Sequence, residues 1–427
     1  MSKFIWQNIY RLIILPLIFI VVHVVALFSK QVREGLFPRR KTIDELKKWQ
    51  EEHAENRKFV LFHAASMGEF EHIKPLLFNL KEKYHTVNIL TFFSPSGYKH
   101  VKDTQGLDFF LYMPFDFSSH WKKLYKILNP RILIISKHDV WPMQIWQARK
   151  MKIPIYLVNA SLPENSSRTR PIIRNFLKHV YRDFSKIFTI SADDAERFSK
   201  YYPKSFTQVM GGTKYDQVMT RQKAALKKKI LPQNWNKNHW IFLAGSIWPE
   251  GEKHLIPGLI KLLQNHKNVN LIIVPHEPNE KFIKSLEEKF LDWGVKRFSQ
   301  LNGDLNERIL IVDTIGQLAD LYQYASAAYV GGSFKQGIHN VMEPAIYGIP
   351  VLFGPVHENS YEAIQLVKTG GGIIFKNEKQ ASTILEELYN DENYRKNVGQ
   401  KALVLAQKNI GATEKIMKQW DSILKNK

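Results

Sequence analysis

Glu69 stands just beyond an apolar run, in the segment FVLFHAASMGEFEHIKP (residues 59–75). Two chemistries suit a carboxyl there. Ser66 and Glu69 have the spacing of a capping box, with Ser at the N-cap and Glu at N3, which would satisfy two backbone donors of a new helix. A Glu at the lip of a buried strand can instead serve as general base toward a hydroxyl nucleophile. A second cluster lies in AAYVGGSFKQGIHNVMEPAIYGIPVLFGP (residues 327–355). Gly331 and Gly332 let backbone approach a ligand, and Ser333 with the N–H groups after it could cup a phosphate at a helix start. Glu343 could accept from two ribose hydroxyls, with His339 and Asn340 one turn earlier. The plain alternative is a tight turn with a capping Asn. Other strand-end loops could converge there: Gly245 and Ser246 in AGSIWPEGE, Pro275 and His276 in VPHEPNE, and Ile315, Gly316 and Gln317 in DTIGQLADLYQYA, whose amides could read a base. His276 alone reads as a surface or structural His.

These loops need a scaffold that ends its strands together. Apolar runs alternate with helical segments: residues 58–63, 86–93, 132–135, then IPIYLVNAS and KIFTIS, and later WIFLAGS, NVNLIIVPHE, RILIVDT, AAYVGGS and IPVLFGP. Continuous apolar strands with crossover helices imply parallel sheets covered on both faces. The expected fold is α/β, two Rossmann-like doubly wound domains facing a cleft, because ligands of open parallel sheets bind at strand carboxyl ends. The boundaries expected are an N-terminal anchor over 1–40, a first domain over 41–218, a basic linker over 219–238, and a second domain over 239–427 with helices at its end.

The chain has 427 residues and no Cys, which excludes disulfides, thiolate catalysis and Cys-based zinc sites. Its formal net charge of +21 draws it to polyanions: nucleic acid, anionic membrane or phosphorylated substrates. No nucleic-acid recognition motif accompanies the charge, so nucleic acid is not expected as a partner. LIILPLIFIVVHVVALF (residues 12–28) carries no formal charge and is long enough for a membrane helix. The heavier basic flank, Lys30, Arg33, Arg39, Arg40 and Lys41, follows it, which places the body of the protein on the cytoplasmic side and favours an anionic membrane surface as partner. ALFSKQVREG is a poor cleavage site, so a retained anchor, spanning or interfacial, is expected.

The strings HAASMGE, DVWP, GGTKYD, AGS, DTIGQLADLY and VGGSFKQGIHNVMEPAIYGIPVLFGP together resemble GT-B glycosyltransferases, and more narrowly the 3-deoxy-D-manno-octulosonic acid (Kdo) transferases of lipopolysaccharide synthesis. The resemblance runs from the anchor to about Gly372. It implies CMP-Kdo as donor, a lipid A precursor as acceptor, transfer with inversion, no metal or other cofactor, and a site on the cytoplasmic face of the inner membrane. It also implies that Glu69 is the base, that Lys214 stabilises the transition state, and that Asp139 matches a family acid. Lys214 read by itself is a surface Lys beside the linker, and Asp139 a cap for the helix that WPMQIWQARK begins. Donor binding falls on Gly245, Ser246, Pro275, His276, Ile315, Gly316, Gln317, Gly332, Ser333, Asn340, Val341, Met342 and Glu343. Acceptor binding falls on Ser66, Arg168 and Arg170, in and near NSSRTRPIIRNFLKHVYR, where the plain alternative is a basic surface helix. The chain departs from the family at KHDVWP, where ETELWP is commoner, at PHEPNE, where His276 replaces an Arg, and at NASLPENSSR. Other readings are a GT-B enzyme using a UDP-sugar, including a nucleotide-sugar epimerase, and a catalytically inactive membrane-anchored binding protein.

Overall fold

In a computed structural model, the chain forms two compact units, Met1–Gln217 with Gly411–Lys427, and Val218–Ile410. The structure describes residues 2–53, 57–95, 98, 101, 104–203, 205–232, 235, 239–303 and 305–425.

The first unit holds β1 (Phe59–Ala64), β2 (Val87–Phe92), β3 (Phe109–Tyr112), β4 (Ile132–Ser136), β5 (Ile155–Ala160), β6 (Lys186–Thr189) and β7 (Thr207–Val209). They form one parallel sheet in the order β3-β2-β1-β4-β5-β6-β7. Leu61, Ile89, Leu133 and Ile155 face one core while Val60, Leu90, Ile134 and Tyr156 face another, which is the two-sided burial that a parallel sheet demands. The order reverses between β1 and β4, so a crevice opens beyond their carboxyl ends.

The second unit repeats the plan with β8 (Trp240–Ile247), β9 (Val269–Pro275), β10 (Val295–Arg297), β11 (Ile309–Ile311), β12 (Ala327–Val330), β13 (Val351–Phe353) and β14 (Gly372–Ile374). Its parallel order is β10-β11-β9-β8-β12-β13-β14, with the reversal between β8 and β12.

The second domain does not run to residue 427 as expected. The helices Ala412–Lys418 and Asp421–Leu424 belong to the first unit, because Ile416, Met417, Trp420 and Leu424 complete its core beside Tyr156 and Phe188. Asp216 fixes the return by accepting the N–H groups of Gly411 and Thr413. The linker expected over 219–238 is partly helical: the helix Thr213–Ala225 runs into it through MTRQKAA, most of whose residues are good helix formers. Residues 233, 234 and 236–238 of that segment lie outside the described residues.

The N-terminal helical run Lys3–Phe28 is long and apolar enough to cross a membrane. One widened turn, Tyr10–Ile14, interrupts it, with the Leu15 N–H reaching back to the Tyr10 carbonyl just before Pro16, which has no N–H to give. One side of the run lies on the first unit. Trp6 packs on Phe176, Tyr10 Oη donates to buried Asp116 at 2.9 Å, Lys3 pairs with Asp183, and Phe19 meets Phe115 and Phe117. The opposite side leaves Leu12, Leu17, Ile20, Val21, Val24, Leu27 and Phe28 exposed.

Candidate functional site

In the first unit the loops after β1 and β4 meet at the strand-order reversal. Ser66 is the N-cap of the helix Met67–Tyr84, and its Oγ accepts the Glu69 N–H at 3.4 Å. Glu69 Oε2 accepts the Ala65 N–H at 2.7 Å, one residue upstream of the partner that a reciprocal capping box would use. Ser136, the last residue of β4, donates its hydroxyl to the Glu69 carbonyl at 3.0 Å, tying this helix start to the neighbouring strand. The Glu69 side chain is only 6% exposed, and its Oε1 lies 3.9 Å from His138 Nδ1. Burial pushes the Glu69 carboxyl up to about 7; the Ala65 N–H, His63 and Lys137 oppose this, and Asp139 adds to it. His138 is half-exposed. Burial, with the charges of Arg168 and Lys137, holds its pKa below the usual imidazole range.

Asp139 does not cap the helix Pro142–Lys150. Its Oδ2 accepts from His63 Nε2 at 2.8 Å and from Trp141 Nε1 at 2.9 Å. Burial raises its pKa, but the two donors and the neighbouring histidines outweigh that and hold the carboxyl below its ordinary value. The first N–H groups of that helix, on Met143 and Gln144, go to Asp116, each at 3.0 Å. Ser66, Glu69 and Asp139 are therefore brought together with two residues not expected from sequence, His63 and His138. His63 is wholly buried, and its other ring nitrogen lies 2.9 Å from Thr91 Oγ1.

Lys214 sits half-buried in the first turn of Thr213–Ala225. Thr213 fastens that turn: its N–H donates to Asn159 Oδ1 at 2.8 Å, and its hydroxyl to the His72 carbonyl on the Glu69 helix. Arg168 is engaged by its own unit, donating to the Ser161 carbonyl at 2.7 Å and to Tyr181 Oη at 3.3 Å. Arg170 is exposed at the start of the helix Pro171–Tyr181, where Ile172 and Ile173 are exposed too.

In the second unit the loops after β8 and β12 meet at the other reversal, with Val330 in register with Gly245. A Cβ on Gly331 would fall 1.8 Å from the Ser246 carbonyl oxygen, so only glycine permits this approach. Gly332 has φ +88° and its following N–H groups curl back, with Gly337 N–H on the Gly332 carbonyl at 2.9 Å. Ser333 turns inward: its Oγ accepts the Gly354 N–H at 2.6 Å, locking the loop to the end of β13. Asn340 Nδ2 and Arg221 Nη1 both donate to Glu343 Oε1, at 3.0 and 3.1 Å, and Asn340 Oδ1 accepts the Met342 N–H. Val341 and Met342 are buried beneath this turn.

Pro275 ends β9 and delivers His276 into a stack. The His276 ring lies 4.2 Å from Trp248 and 4.6 Å from His339, and Trp248 Nε1 donates to His339 Nε2 at 3.0 Å. Burial pulls the His276 pKa below the usual imidazole range, against the opposing charge of Glu277. The Ile315–Gly316–Gln317 turn follows β11; Ile315 is 85% exposed and Gly316 has φ +96° with open space around it.

The family model of 3-deoxy-D-manno-octulosonic-acid transferase matches residues 38–217. Over 332 residues, 76% of this chain and 84% of the relative, the sequence is 30% identical to the 3-deoxy-D-manno-octulosonic acid transferase of Aquifex aeolicus. The chain belongs to the 3-deoxy-D-manno-octulosonic acid transferase family. The enzyme of that name from Haemophilus influenzae is 27% identical over 369 residues, 84% of this chain and 85% of the relative. A solved UDP-N-acetylglucosamine 2-epimerase superposes with a TM-score of 0.62 at 14% identity, covering 88% of this chain and 98% of that one. That likeness concerns the fold, the GT-B arrangement of two parallel-sheet domains, and a Kdo-transferase family member is a glycosyltransferase by its relatives.

Proposed function

We propose that the protein transfers Kdo from CMP-Kdo to a lipid A precursor, with inversion at the anomeric carbon. The observation that carries this reading is Glu69: a desolvated carboxyl at the first strand-order reversal, poised near neutral pH. A general base works best when its pKa lies near the working pH. In this mechanism Glu69 takes the proton of an acceptor hydroxyl as that oxygen attacks the anomeric carbon of Kdo. The bond from that carbon to the CMP phosphate breaks, and the electron pair leaves on the phosphate oxygen. One base suffices for such a displacement, and the remaining need is to stabilise the departing charge. Lys214 supplies a cation for it. Asp139, fixed by His63 and Trp141, supports the Glu69 region from behind.

In the second unit, the glycine turn at 331–332 and the amides of 315–317 bind CMP, with Glu343 on the ribose hydroxyls and Gly245, Ser246, Pro275 and His276 completing the walls. Arg168 and Arg170 face the acceptor phosphates together with Ser66. The apolar side of Lys3–Phe28 and the basic segment after it hold the enzyme to the cytoplasmic face of the inner membrane. The test is a mass spectrum of a lipid A precursor after incubation with the purified protein and freshly generated CMP-Kdo, beside Glu69→Gln. An added Kdo with wild type and none with the variant supports the reading. No product from folded wild type, across several acceptors, rejects it.

A further inference from the structure

An apolar cavity of about 340 Å³ lies in the first unit between the N-terminal helix and the loops that follow β2 and β3. Leu15, Ile18 and Val22 form one wall, Val32 and Leu36 another, and Phe93, Pro114 and Phe115 the floor. That volume is at the small end of the roughly 300–1,000 Å³ typical of ligand cavities. Two charged groups reach the lining, and both are already satisfied. Arg39 donates to the carbonyls of Gly35, Met113 and Phe93. Asp116 accepts from Tyr10, Trp121, Met143 and Gln144. A pocket with apolar walls and no unmet polar partner suits an apolar occupant.

The cavity also adjoins both a membrane-seeking surface and the candidate site. The helix that walls it exposes Leu17, Ile20, Val21, Val24 and Leu27 on its other side, and Ile18 is both exposed and part of the lining, so the cavity lies beside the surface that would meet a bilayer. Arg40, exposed in the neighbouring pocket that shares Phe19, Arg39 and Phe115 with this one, adds positive charge suited to a phosphorylated headgroup. On its inner side Trp141 lines the cavity and donates to Asp139, and Phe93 stacks on Trp141 at 5.2 Å. The next residue, Ser94, donates its N–H to the carbonyl of Ala65, whose own N–H holds Glu69.

We infer that this cavity receives one acyl chain of the lipid acceptor and so positions the acceptor's sugar against the Glu69 loop. The inference rests on the acceptor assigned above. A chain arriving from a bilayer exchanges one apolar surrounding for another, so the cavity selects acylated over deacylated acceptor by packing fit and by holding the sugar in place.

The experiment uses the full-length protein in phospholipid vesicles and two acceptors, a tetra-acylated disaccharide bisphosphate and its deacylated form. Val32→Trp fills the cavity without touching Glu69, Asp139 or Lys214. It should raise KM for the acylated acceptor about tenfold, leaving kcat, KM for the deacylated acceptor and vesicle binding unchanged. Val22→Phe, on the facing wall, should do the same and guards against a folding defect in the first variant. Unchanged KM in both, equal rises for both acceptors, or release from vesicles would overturn the inference. A photoreactive diazirine at the end of one acyl chain gives a readout without turnover. Label on Leu36, Phe93 or Phe115, lost in Val32→Trp, supports the site; label confined to Leu17, Val21 and Val24 rejects it. Label in the cavity with no Kdo transfer by wild type would reject the transferase reading and keep the acyl site.

Discussion

Glu69 Oε2 holds the Ala65 N–H at 2.7 Å while its other oxygen, Oε1, lies 3.9 Å from His138 Nδ1. One oxygen thus closes the turn, and the second is the one that the proposed general-base role would use. Glu69→Gln separates the two roles, because a carboxamide oxygen can still accept from Ala65 but cannot take a proton. Its kcat for Kdo transfer should fall by roughly 10²–10⁴, the usual worth of a positioned general base, with little change in acceptor KM. Retained activity in Glu69→Gln would leave Glu69 as a cap alone.

The elevated Glu69 pKa has opposite consequences for rate and for stability. The base acts ionised, so kcat/KM should climb with pH to a plateau, with an inflection near 7. For stability, the native state keeps this proton up to about 7 while the unfolded chain releases it near 4.3. Between those values the native state binds more protons, so this group's contribution falls as pH rises. Glu69→Gln lacks the penalty. It should match wild type near pH 4 and exceed it at pH 8 by an amount on the order of 3 kcal/mol. Denaturant midpoints at the two pH values measure this, and a variant less stable than wild type at pH 8 would contradict it.

How much of this was legible follows from what each residue must satisfy. Both sheets could be read because apolar runs such as residues 132–135 and 269–275 have no other stable use. The short edge strands β3, β7, β10 and β14 were not read, since three or four residues give too little periodicity to stand out. Glu69 and the Gly331–Gly332 turn were legible through local spacing. The pairing of His63 with Asp139 was not, because it joins side chains 76 residues apart through sheet order. The return of Trp420 to the first core was missed for the same reason: its helix looks like any terminal helix, and only Tyr156 and Phe188 decide where it belongs.

His276 is the point where donor binding should be improvable. Its ring, whose pKa burial lowers, stacks on the hydrogen-bonded pair Trp248 and His339. An Arg can keep a stacked geometry on the indole and adds a permanent charge with a fork of donors for phosphate. His276→Arg should lower KM for CMP-Kdo several-fold at pH 8, with a steeper rise of KM in salt than wild type shows. Unchanged KM and unchanged salt dependence would remove His276 from the donor phosphate's surroundings.

Asp116 and Asp139 offer the sharpest separation of scaffold from site. Asp116 is 2% exposed and accepts four donors, two of them the first free N–H groups of the helix Pro142–Lys150. An Asn there has one acceptor oxygen and presents N–H groups to donors, so Asp116→Asn should destabilise the first unit by about 2–4 kcal/mol. Asp139 has a quarter of its side chain in solvent and two donors on one oxygen, which an Asn oxygen can still receive. Asp139→Asn should therefore change stability by less than about 1 kcal/mol. Its effect should appear in the pH profile. The Asp139 charge is one of the influences raising the Glu69 pKa, so neutralising it should move the kcat/KM inflection to lower pH. A profile that stays in place, or moves upward, would mean that the Asp139 charge does not act on the catalytic base.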